Sequence, residues 1–258
     1  MLNVADLQAF VGLDDHDSEI QVCVLDRDGS VLRNGRVDNQ LGAILDFVDQ
    51  ALDGRRVKGV AIESCCGAAN LAEQLREHGW EVELAQAGIG SRMKQNPDKT
   101  DFSDARLLAD LVRVGSLPRV WSPPEAIRDL RRLTRHRQQL VDERRRIKLR
   151  RRAILREERI VTPSDVGTVW TVSWKEWLRT TTTLRAHTRW VMDNHLAKEK
   201  QVSQEIRDVE KRLAECTKDD AVVPKLLEEK GVGLVTAVTR CSSKRPIASR
   251  ATSPTGRP

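Results

Sequence analysis

Tyrosine is absent from this 258-residue chain, and only three phenylalanines are present. A broad platform of aromatic rings on which successive bases could stack is therefore not available to it. No apolar run approaches the length needed to span a bilayer, and the opening Met-Leu-Asn-Val-Ala-Asp lacks the basic-then-apolar order of a secretory leader, so a cytoplasmic location is expected. The five cysteines are odd in number and irregularly spaced, which supplies neither a disulfide framework nor paired Cys-x-x-Cys zinc arms. Beyond Gly231-Val232-Gly233 there is no glycine-rich phosphate loop.

What is present is charge, unevenly placed. The chain carries a net +6, yet Arg128 to Arg159 holds fourteen Arg or Lys against five Asp or Glu, a local +9 that leaves about −3 for everything else. An acidic body with one strongly basic arm points to a polyanionic partner, most simply nucleic acid. An apolar share of 39% is enough for a packed core.

The first third reads as alternating short strands and helices. Phe10 to Leu13 ends in Asp14, and Ile20 to Leu25 and Val31 to Val37 follow, joined by the turn Asp26-Arg27-Asp28-Gly29. Leu41 to Leu52 has helical spacing, with Asn39 placed to cap it. Val57 to Ile62 is a strand ending in Glu63; Gly67 to His78 is a helix closed by Gly79; Trp80 to Ala85 is a further strand. Three strands in a meander followed by helix and strand in alternation is the order of the ribonuclease H-like fold.

Acidic residues collect at the ends of these elements. In Lys99-Thr100-Asp101-Phe102-Ser103-Asp104-Ala105, the two aspartates stand three apart where a helix with Leu107, Leu108, Leu111 and Val112 on its apolar face begins. That spacing puts both carboxylates on one face, with Cβ atoms about 5–6 Å apart. One such aspartate could simply cap the helix. Asp14 and Glu63, each ending a strand, bring two more carboxylates toward the same edge, and four together are costly without a divalent cation, Mg²⁺ or Mn²⁺. Asp15 and Asp17 lie beside Asp14; Asp14 is favoured because it directly follows the apolar run.

Val11-Gly12-Leu13-Asp14, Ala61-Ile62-Glu63-Ser64, Lys99 to Ala105 and Leu130-Arg131-Arg132-Leu133-Thr134-Arg135 together resemble the IS one-ten group of insertion-sequence transposases, the DEDD transposases. The likeness spans residues 9 to 160. It implies a ribonuclease H-like domain similar to that of Holliday-junction resolvases, with Asp14, Glu63, Asp101 and Asp104 as catalytic and metal-binding residues, DNA as substrate and a structured guide RNA as partner. It also implies a nucleophilic serine in a further C-terminal domain. None of Ser242, Ser243, Ser249 or Ser253 lies in a matching motif, so no nucleophile is assigned and an incomplete chain, inactive alone, is expected. Ser64-Cys65-Cys66-Gly67 departs from the small residue, Thr and glycines usual in relatives.

The expected organisation is a ribonuclease H-like DEDD domain over 1–123, a basic helical arm over 124–160, and a linker with a Trp-rich short helix over 161–183. A coiled coil over 184–220, the start of a C-terminal domain over 221–240 and a disordered tail over 241–258 complete it. In the arm, Arg131, Arg132, Arg135, Arg137, Arg144, Arg145, Arg146, Lys148, Arg150, Arg151 and Arg152 are the candidate phosphate contacts. Trp170, Trp174 and Trp177 read as packing. Val202, Ile206, Val209, Leu213 and Cys216 form a seam that either pairs two subunits into a homo-oligomer or folds back on the basic helix. Two other classes fit parts of the pattern: a non-catalytic nucleic-acid-binding protein, and an actin-like sugar kinase, suggested by Gly12-Leu13-Asp14 before a hairpin.

Overall fold

The computed structural model describes residues 7–88, 101–180 and 184–243, with Asp101 described in its backbone alone. They fall into two compact units, divided between Pro123 and Pro124.

The first unit is built on strands β1 (Gln8–Asp15), β2 (Glu19–Asp26), β3 (Val31–Asp38), β4 (Arg56–Glu63), β5 (Val82–Ala85) and β6 (Arg119–Val120), with helices α1 (Leu41–Leu52), α2 (Ala68–Glu77) and α3 (Asp101–Arg113). The sheet order is β3-β2-β1-β4-β5-β6. β1, β2 and β3 pair antiparallel, β4 and β5 continue from β1 in parallel, and β6 closes the far edge antiparallel to β5. This is the ribonuclease H-like arrangement. β6 has too few residues for any periodicity to mark it in the sequence.

β1 is buried on both faces because it is central, and its two-residue period separates two clusters. Val11 and Leu13 join Val60 and Ile62 in the core covered by α1 and α2. On the other face Ala61 packs with Leu108 and Leu111 of α3, and Cys23 and Leu25 pack with Ala105 and Ala109. Among the described residues, α3 is the helix that covers the face opposite α1 and α2.

Two local readings need correction. The N-cap position of α1 is Gln40, not Asn39, and no side chain caps it. Asn39 instead donates through Nδ2 to Asp15 Oδ1 at 2.6 Å and to the His16 carbonyl at 2.7 Å. β5 begins at Val82, two residues after Trp80, which stands edge-on to His78 in the preceding turn.

The second unit is helical: α4 (Glu125–Glu157), a 3-10 turn (Ser164–Val166), α5 (Val172–Thr180), α6 (Ala186–Cys216), α7 (Val223–Leu227) and α8 (Leu234–Ser243). At 33 residues α4 is roughly 50 Å long. α6 runs back along it: Arg137 meets Glu210 near one end, and Glu158, just past α4, meets Arg185 at the other. Val202 and Ile206 pack against Leu140 and Ile147, while Leu213 joins Leu130 and Leu133 beneath α7 and α8. The seam of residues 202–213 thus folds back on the basic helix of its own chain. Helix α8 carries Cys241, Ser242 and Ser243, three residues of the segment whose composition reads as a tail; residues 244–258 lie outside the described residues.

Candidate acidic site and basic helix

Gly12 fixes the geometry of the acidic edge. A β-carbon there would stand 2.0 Å from the Ala105 carbonyl oxygen and 2.5 Å from the Ala109 nitrogen, so strand and helix meet backbone to backbone. Asp14, two residues on, points to the same face. Its side chain is 13% exposed, and Oδ2 lies 3.4 Å from His16 Nε2. Asp15 points to the other face, where it accepts from Asn39 and from Cys65 Sγ at 3.4 Å. Burial and the Asp15 carboxylate together push the Cys65 thiol up to about 12. Asp17, in the turn after β1, is exposed and lines the same cleft as Asp15 and Cys65.

Glu63 is the last residue of β4. Leu13 pairs with Ile62 in the parallel register, so Asp14 and Glu63 come next, side by side at the C-terminal ends of adjacent strands, about 4.8 Å apart along the backbone. Ala61 contacts α3 residues, and Glu63, two further, shares that face. The Gly88 N–H donates to Glu63 Oε1 at 2.7 Å, which holds this carboxylate from the loop after β5.

Asp104 is 7% exposed and immediately precedes Ala105, whose carbonyl meets Gly12. Asp14 and Glu63 thus share one face at the strand ends, and Asp104 stands in the helix laid over that face. Asp101 opens the same helix three residues earlier; its side chain, with Lys99 and Thr100, lies outside the described residues. Among the described residues no three metal-ligating side chains are close enough to form a cage by themselves. The donor chemistry, carboxylate oxygen throughout, suits Mg²⁺ or Mn²⁺ and not a thiophilic metal.

Two positioning residues escape sequence reasoning. Gln21, directly opposite Asp14 in the β1–β2 ladder, is 4% exposed and donates from Nε2 to Asn34 Oδ1 at 2.6 Å. Asn34 in turn donates from Nδ2 to the Phe102 carbonyl at 3.1 Å. This relay ties the first turn of α3, between the two aspartates, to the sheet. The only signal in the sequence is a polar residue inside the otherwise apolar run Ile20 to Leu25.

The basic helix divides its charges between two jobs. Arg132, Arg135, Arg145, Arg146, Arg150 and Arg152 are exposed, and Arg144 and Lys148 half-buried. Arg131 is half-buried and donates to the Ser242 carbonyl at 2.8 Å; Arg137 is held by Glu210 at 2.6 Å. Arg151 is fully buried and ion-paired with Glu199 of α6, itself buried. Lys175 and Lys148 lie 3.2 and 3.9 Å from the same carboxylate. Burial pulls Arg151 and Lys148 below their ordinary values, with Glu199 opposing it. Arg151 is out of reach of a phosphate and belongs to the interior of the helical hairpin.

The turn at Gly231, φ 85°, is closed by the Val232 N–H to the Glu229 carbonyl, and Val232 packs with Leu234 beside α4. Trp170, Trp174 and Trp177 pack with Leu155, Leu178 and Met192.

Residues 11–159, more than half of the chain, match the family model of the IS110 DEDD transposases, described as transposase. A stretch of 150 residues is 29% identical to the insertion element IS116 uncharacterized 44.8 kDa protein of Streptomyces clavuligerus. That match covers 57% of this chain and 38% of the relative, so the chain spans well under half of the relative's length.

Proposed function

The chain belongs to the IS110 DEDD transposases, the IS one-ten group of insertion sequences, and on that premise we propose that it acts in DNA transposition through a divalent-metal site at the acidic edge and a nucleic-acid surface on α4. The observation that carries the reading is the shared face of Asp14 and Glu63 at the strand ends, with Asp104 in the helix laid over it. Carboxylates gathered at one edge repel, and an oxygen-liganded cation relieves that cost.

Asp14, Glu63, Asp101 and Asp104 would hold Mg²⁺ or Mn²⁺. When bound, such an ion neutralises charge on a phosphodiester and polarises its oxygens. The chain's own part is to aim the ligands: Gly12 lets α3 descend onto β1, the Gln21–Asn34 relay fixes the first turn of α3, and the Gly88 N–H holds Glu63. DNA and a structured guide RNA are the proposed partners of the exposed arginines of α4. Self-association through α6 would have to exchange it between two copies, since its seam is covered by α4 of the same chain. Among the described residues no helix is long and apolar enough to cross a membrane; a cytoplasmic location is part of the proposal.

Titration with Mn²⁺, followed by its electron paramagnetic resonance signal, tests the site. Asp14→Asn and Asp104→Asn should each weaken binding at least tenfold; unchanged affinity in both would remove the assignment. A second reading, nucleic-acid binding without catalysis, is favoured by the exposed arginines alone and requires binding that is indifferent to metal and to Asp14 and Glu63.

A further inference from the structure

Where α4 ends, a cavity of about 850 Å³ opens against the Trp-bearing segment. Its helical wall is Leu149, Arg152, Ala153 and Arg156, three, four and seven residues apart and therefore one stripe. Arg159, in the left-handed region at φ 53° just past the helix, adds a third guanidinium to the lining. Among the described residues no acidic side chain lines the cavity. The floor is apolar, with Leu155 and Trp174 buried, and the Trp174 indole N–H is already donated to Thr162 Oγ1 at 3.1 Å.

Trp170 lines the same cavity and is held there at some conformational cost. Its φ of 78° lies in a region that bulky side chains seldom occupy. Residues held this way persist only where the surroundings over-determine them, and they concentrate at binding sites. Here the Trp174 ring stands edge-on at 5.0 Å, and the Lys148 and Arg151 cations lie 5.3 and 5.4 Å from the Trp170 ring centroid.

We infer that this cavity takes one unpaired nucleotide, its base against Trp170 and its phosphate among Arg152, Arg156 and Arg159. The volume is in the range of small-molecule sites. Three guanidiniums without an acid call for an anion, and planar guanidinium matches phosphate. The apolar floor beside an indole calls for a flat ring on the same ligand. A paired duplex offers the phosphate and withholds the ring face; an apolar peptide offers the ring and leaves the arginines unanswered. A single tryptophan accommodates one base, in keeping with a chain that has no tyrosine. The inference rests on α4 being a nucleic-acid surface, and narrows what part of the nucleic acid this end of it selects.

The test uses the full chain and duplexes carrying one bulged 2-aminopurine, in RNA and in DNA, beside the same duplexes fully paired. The bulged forms should bind about tenfold tighter than the paired ones, the gain expected from one base stacked on an aromatic ring, with 2-aminopurine emission quenched. Trp170→Leu should abolish that preference and leave paired-duplex affinity within twofold. The double change Arg156→Ala with Arg159→Ala, at exposed positions, should reduce the preference and decides the matter if Trp170→Leu does not fold. A preference confined to RNA or to DNA supports the pocket and identifies its sugar. Equal affinity for bulged and paired forms, or a preference that survives the variants, overturns the pocket alone. Absence of binding to every duplex overturns both the pocket and the nucleic-acid surface.

Discussion

Gln21 and Asn34, on neighbouring antiparallel strands, share a 2.6 Å hydrogen bond whose purpose lies outside the sheet: it orients the amide that grips the Phe102 carbonyl. Phe102 sits between Asp101 and Asp104, so two neutral amides govern where a pair of carboxylates begins.

Asn34→Ala should therefore leave the buried Gln21 amide without its partner and remove the side-chain tie to the first turn of α3, costing about 1–3 kcal/mol. Hydrogen exchange should accelerate in the first turn of α3 more than in β4. Mn²⁺ affinity should fall although no ligand has been changed.

Gly12→Ala places a methyl carbon where the Ala105 carbonyl already stands. Overpacking of this kind costs about 1–3 kcal/mol when side chains can yield, and here the obstruction is backbone. Denaturant unfolding should show a loss at or above that range. By contrast Gly42→Ala, with open space around its Cβ, should be neutral or slightly stabilising.

Glu199→Ala strands Arg151 in the interior of the hairpin with its charge uncompensated, a loss of about 3–5 kcal/mol. Replacing both, Arg151→Met with Glu199→Leu, should recover most of that stability. Thermal melts of the three variants measure the difference.

Cys65 is exposed yet should alkylate slowly. With its thiol pushed up to about 12, the thiolate at pH 8 is about one part in ten thousand, and the rate should rise tenfold per pH unit until that value is reached. Burial contributes most to the shift and the Asp15 carboxylate next, so Asp15→Asn should lower the value and speed iodoacetamide labelling at pH 8. Peptide mass spectrometry reads the site directly.

Arg145→Ala and Arg146→Ala should each weaken DNA binding across sequences and reduce the slope of log affinity against log salt by about one. The paired change Arg151→Met with Glu199→Leu, which removes the Arg151 charge, should leave that slope unchanged, because Arg151 is buried against Glu199 of α6 and the Trp170 and Trp174 rings. A salt series over the three variants separates interior from surface charge.

Apart from β6, the strands and helices of the first unit were legible because β1 carries an unbroken apolar run, as a strand buried on both faces does, apolar residues recur by three and four in α3, and turn residues punctuate them. The edge position of Asp14 and Glu63 followed from their places after apolar runs. Arg151 was not legible, since the phosphate reading weighs each arginine by its type and the identity of its buried partner, Glu199, lies 48 residues away. The Gln21–Asn34 relay was hidden for a similar reason: an amide within a strand gains its meaning only from the helix laid over it. Whether the seam on α6 would bind α4 or another copy depended on the intervening segment, which turns through the short α5 and returns the chain antiparallel.

Adjacent aspartates give β1 an acid on each face, so a strand slid by one position would still present a carboxylate toward α3. Gly12 makes that error unproductive. Shifted either way, Val11 or Leu13 would occupy the spot where even a single carbon stands 2.0 Å from the Ala105 carbonyl, and α3 could not close. Volume exclusion at Gly12 thus admits α3 only over the register that turns Asp14, not Asp15, toward it.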